Sequence, residues 1–238
     1  MAVREERHER DRVTHRLEAF SDIVIGFSLA QLGLSLVLPP HAVDLVRHPF
    51  GIAAFLLTFF VVSRFWWTHF NIFEHYFEPT RFMMFFNFAA LAGLTLQVFS
   101  LQAFVHFVPR GEGLTAARIY FGLFVASYTM LSVMLALGIW TRRNALSSAL
   151  RATGIRRAIG MSFTVAGCAL GDIFATADHT NVVVSEGTTT TLVAVFPSTI
   201  AVYTFFGWVA GVVASRLIPR IPDLYRKATG ARKEKADA

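Results

Sequence analysis

Residues 16–38 read RLEAFSDIVIGFSLAQLGLSLVL, and they decide what kind of protein this is. The first turns hold Arg16, Glu18, Ser21 and Asp22, and the remainder is apolar enough to lie in lipid. About 20 such residues cross the hydrocarbon of a bilayer. Ionisable groups at the mouth of a membrane helix are costly and call for a partner or a pathway. Placed at about 100° per residue, the segment carries two stripes. Arg16, Phe20, Ile23, Phe27, Ala30 and Leu34 form one, and Ser21, Ser28, Gln31 and Ser35 form its neighbour. Lipid rewards no serine and glutamine stripe, so that side is expected to meet protein or water. In protein, each interhelical hydrogen bond would contribute ~1 kcal/mol.

The rest of the chain has the same character. Hydrophobic residues make up 54 % of the 238, charged residues 16 %, and mean hydropathy is +0.51, which suits a multi-span membrane protein. Five further apolar segments follow, at about 50–72, 83–107, 117–140, 158–177 and 192–215. The expected fold is therefore all-α, a six-span transmembrane helical bundle. Residues 1–16 form a charged helical lead-in, 17–215 the membrane domain and 216–238 a basic tail. The start of the chain has no short apolar core with a cleavage site, so no removable signal is expected there. The single cysteine, Cys168, excludes an internal disulfide and a thiolate metal cluster.

Charge gives an orientation. The net charge of +6 comes from basic residues gathered at segment ends, which points to membrane topology and not to nucleic acid. Arg4, Arg7, Arg10 and Arg12 precede the first span. Arg142, Arg143, Arg151, Arg156 and Arg157 follow the fourth, and the tail carries seven more from Arg216 to Lys235. Residues 178–191 have no Lys or Arg. The positive-inside rule then puts both termini in the cytoplasm of a multi-pass cell-membrane protein, which six spans satisfy.

Two motifs carry a resemblance. Arg16-x-x-x-Phe20-Ser21-Asp22 opens the first span, and Trp66-Trp67-Thr68-His69 lies in the second. Together they resemble the transmembrane protein 175 family of potassium channels in its prokaryotic form, a single six-helix repeat. The resemblance implies a homotetramer in the lipid bilayer whose first helices line a pore for potassium ions, with protons as a further permeant. It also implies that Arg16, Phe20, Ser21, Asp22, Trp66 and His69 form a polar network holding the gate. Ile23, Phe27, Ala30 and Leu34 would line the pore, narrowed at Phe27. The chain departs from the family at that point. The family usually carries Ile or Leu in place of Phe27, and often Thr in place of Ala30. Rotation at Gly26 and Gly33 would bring the other stripe, Ser28, Gln31 and Ser35, to the axis.

Other chemistry finds no support. No P-loop, metalloprotease, CxxC or dinucleotide motif is present, and neither is the Thr-Val-Gly-Tyr-Gly filter of ordinary potassium channels. Without a filter loop, an economical pore takes one helix from each of several subunits. No enzyme activity, cofactor or metal site is expected. A histidine such as His69 or His75 in a membrane helix is more often a packing residue than a haem ligand, and Gly26-Phe27-Ser28 lacks the next glycine of a serine protease. Two rivals stay open. One is a proton-coupled transporter using Asp22, Arg64 and His69, with Arg64 drawn into a cluster with Asp22. The other is a non-conducting scaffold closed by Phe27.

Overall fold

The computed structural model describes residues 2–34, 50–107, 113–174 and 198–217. They form six helices: α1 (Ala2–Leu34), α2 (Phe50–His75), α3 (Arg81–Phe107), α4 (Gly113–Thr141), α5 (Ser148–Phe174) and α6 (Ser198–Leu217). No strand occurs among the described residues. Five helices contain stretches long and apolar enough to cross a membrane: His8–Leu34, Ile52–His75, Arg81–Phe104, Leu114–Thr141 and Ser148–Phe174. Large side chains such as Phe60, Phe82 and Phe206 stand outward, as a lipid solvent permits. Ser35, the loop 178–191 and nearly all of the tail lie outside the described residues.

The helices pack mainly in sequence order. α3 lies along α4, α4 along α5 and α5 along α6, while α1 rests in the angle between α2 and α3. The core runs through Phe65 on α2, Leu94 on α3, and Leu131 and Met134 on α4, all fully buried. Between α5 and α6 the backbones themselves meet. A Cβ on Gly167 would lie 2.5 Å from the Tyr203 carbonyl oxygen and 2.7 Å from Gly207 Cα. A Cβ on Gly211 would lie 2.7 Å from the Gly160 carbonyl oxygen. Only glycine permits this approach, which lets van der Waals contact hold a pair of membrane helices.

α5 starts at Ser148, about ten residues before the span expected from hydropathy, so Arg151, Arg156 and Arg157 are helical and do not form a loop. The reason is local. The Leu150 N–H donates to Ser147 Oγ at 3.3 Å, and the Arg151 N–H donates to the Ser147 carbonyl oxygen at 2.9 Å. Ser147 thus caps the helix, and arginine and alanine propagate it well. The true connection is the short turn through Arg143 and Asn144.

α2 ends in an anchor. Arg142 Nη1 donates to the His75 carbonyl oxygen at 2.8 Å, satisfying one acceptor at the C-terminus of α2. Gly138 lies against the Tyr76 backbone and Gly154 against its ring, and the Tyr76 hydroxyl donates to the Leu150 carbonyl oxygen at 2.8 Å. One tyrosine therefore ties α2 to both α4 and α5.

Candidate functional site

α1 has two sides. Ser21, Ile25, Ser28 and Leu32 recur at helical spacing and are buried against α2 and α3. On the other side Ile23 is 58 % exposed, Phe27 72 % and Leu34 86 %, with Ala30 also exposed. Phe20 lies between the two, 47 % exposed, its ring edge-on to Phe88 at 5.8 Å.

The polar residues of α1 divide in the same way. Ser28 donates to the Val24 carbonyl oxygen at 2.9 Å and lies 3.4 Å from the Thr95 hydroxyl of α3. Its hydroxyl thus serves helix packing within the chain. Gln31 is half-buried.

Beneath Ser21 runs a chain of side chains on three helices. Ser21 donates to the Leu17 carbonyl oxygen at 2.8 Å and accepts from Asn87 Nδ2 at 3.2 Å. Asn87 Oδ1 lies 2.7 Å from His69 Nε2. Because the amide nitrogen of Asn87 points at Ser21, its oxygen faces the imidazole. The His69 Nε2 therefore carries the proton and donates. Ser21, His69 and Asn87 are almost wholly buried, and the His69 ring stacks on Phe73 at 4.5 Å.

Asp22 belongs to a second, outer limb. Its Oδ1 accepts from Trp66 Nε1 at 3.0 Å. The structure thus joins Asp22 to Trp66, and Ser21 to His69 through Asn87, while Arg16 stands exposed at the helix entrance. Asn87 is the member that sequence reading passed over. Its signal was a lone amide within FMMFFNFAAL, where lipid offers no partner.

Arg64 does not join Asp22, a correction to the cluster expected from sequence. Two residues before Trp66, it points about 200° away on a helix. It lines a separate cavity with Tyr128 of α4 and Arg157 of α5. The three titratable members proposed for coupled transport are therefore not gathered at one site. No group of three or more His, Cys, Asp or Glu suited to a metal occurs among the described residues.

Both motifs, Asn87 and Thr95 fall within one stretch of α1 to α3, and a family model matches that stretch. Residues 16–97 match the family model of the endosomal/lysosomal potassium channel TMEM175. This is the family that Arg16, Phe20, Ser21 and Asp22 suggested, and at family level it supports a potassium or other cation channel in a membrane. The match takes in α1 from Arg16 onward, α2 and the first two thirds of α3, including every member of the polar chain. No curated protein and no protein of solved structure matches the chain.

Proposed function

We propose that this chain is a cation channel, with potassium as its expected ion, built as a homotetramer around the free face of α1. The carrying observation is the division of that helix. Its buried face is satisfied within the subunit, whereas Ile23, Phe27 and Leu34 stand more than half exposed. Four copies brought together on this face give a pore lined by Ile23, Phe27, Ala30 and Leu34, with Phe27 as its apolar constriction. Such a ring gates by excluding water, because an ion entering it loses hydration with nothing in return. Protons are a further permeant in this reading.

The polar chain then has a structural task. Asp22–Trp66 and Ser21–Asn87–His69 hold the entrance of α1 on α2 and α3, so the pore face keeps its rotation. The inward placement of Ser28 favours the apolar stripe over one made of Ser28, Gln31 and Ser35. α6 counts as a sixth span: its 20 residues reach about 30 Å at 1.5 Å per residue. Both termini are then cytoplasmic by the distribution of basic residues.

Purified protein in potassium-loaded liposomes tests the reading. A downhill potassium leak that needs no proton gradient, from particles of tetrameric mass, is expected. Saturable flux that collapses with the proton gradient would favour transport, and tetramers with no flux would favour a scaffold.

A further inference from the structure

Arg64 marks a second site that the pore does not use. It lines a cavity of about 980 Å³ between α2, α4, α5 and α6, together with Arg156 and Arg157 of α5. We propose that this cavity binds an anionic phospholipid, whose phosphate neutralises the three guanidinium groups.

The first argument is charge. Arg64 sits within an apolar span, where an unpaired cation is costly. Among the described residues no Asp or Glu lines the cavity. Arg157 gives one N–H to Asn71 Oδ1 at 2.8 Å, which is a neutral partner. A guanidinium has five donors in a planar fork that suits phosphate. Three such groups with no carboxylate leave the counter-charge to a ligand.

The second argument is shape and polarity. All three arginines are exposed in the subunit, so the cavity is open to its surroundings. Its other walls include Phe60, Phe124 and Trp208, which suit an acyl chain and would repel a small hydrated anion. Asn71, at the level of Arg157, lies four residues before the last residue of α2, within about 6 Å of the helix end. Arg64 lies seven residues, or about 10 Å, deeper. The positive charge therefore begins near a helix end, at headgroup depth, and continues into the apolar span.

The test uses full-length protein stripped of lipid in neutral detergent. Dioleoyl phosphatidylglycerol, dioleoyl phosphatidylcholine and inorganic phosphate are titrated while melting temperature and bound mass are followed. Phosphatidylglycerol should stabilise at roughly tenfold lower concentration than phosphatidylcholine, about 1.4 kcal/mol of preference, and inorganic phosphate should not stabilise. The paired change Arg64→Gln with Arg156→Gln should erase that preference. Lys233→Gln with Lys235→Gln in the tail should leave it intact. Should the paired variant fail to fold, Arg156→Gln alone should weaken the preference. Equal response to the two lipids would overturn the site. So would a preference that survives loss of Arg64 and Arg156, or stabilisation by inorganic phosphate equal to that by phosphatidylglycerol. None of these readings involves ion flux, so the site stands or falls apart from the pore.

Discussion

Asn87 links the first helix to the second, since it donates to Ser21 of α1 and accepts from His69 of α2. Removing it leaves a buried imidazole N–H without an acceptor, and an unmet buried donor costs about 1–3 kcal/mol. Asn87→Leu should lower the melting temperature while His69→Phe in the same background adds little further loss, because the bond is already gone. Independent, additive losses from the two changes would show that the residues are not coupled. Asp22 works through one exposed bond to the Trp66 indole. Asp22→Ala and Trp66→Phe should therefore both reduce the yield of tetramer on size-exclusion with light scattering, with smaller effects on subunit melting than Asn87→Leu. Wild-type tetramer yield in both would separate this bond from assembly. Much of this chain could be read from the motif, since Ser21, Asp22, Trp66 and His69 were all candidates. The amide between them could not, because only packing reveals which face of α3 meets α1.

The six helices themselves were legible from apolar runs, because lipid leaves the backbone little choice but helix. The start of α5 was not, since hydropathy reports where lipid begins and not where helix begins. Ser147 sets that start through its side-chain oxygen, and Ser147→Ala should cost about 1 kcal/mol in thermal unfolding. No measurable change would mean that the arginine-rich turns hold themselves. The close packing of α5 through Gly160 and Gly167 became clear only in three dimensions. Gly207 faces Gly167 so closely that a Cβ on Gly207 would lie 2.7 Å from Gly167 Cα, with backbone atoms that cannot move aside cheaply. Gly207→Val should force α5 and α6 apart and lower folded yield sharply. Gly122→Ala is the matched control, since nothing lies within 4 Å of the position. Equal yields of the two variants would deny that the close contact matters.

At the scale of the whole molecule, orientation and pore are the two claims that join the parts. Arg143 caps the face of Trp140 at 4.9 Å, an arrangement suited to a membrane interface, and the turn that follows is expected in the cytoplasm. A cysteine at the exposed Asn144, in a chain where the buried Cys168 is replaced by Ala, should react with an impermeant thiol reagent only from the cytoplasmic side. Labelling from outside would invert the topology. The chain provides a helix whose outer face, through Ile23, Phe27 and Leu34, is left without a partner among the described residues. Sequence could separate the apolar stripe of α1 from its serine stripe but not say which one faced inward; the burial of Ser28 and Leu32 distinguishes them. Phe27 is therefore the residue on which the account turns. A Phe→Ala change inside a packed core costs about 3–5 kcal/mol, whereas at a pore constriction it widens a dry ring. The decisive measurement is potassium and sodium conductance of Phe27→Ala tetramers in planar bilayers, beside wild type. Larger currents with weaker discrimination between the two ions are expected, from tetramers as stable as wild type. Unchanged conductance from stable tetramers would contradict the pore reading, and the free face of α1 would then be a surface for lipid.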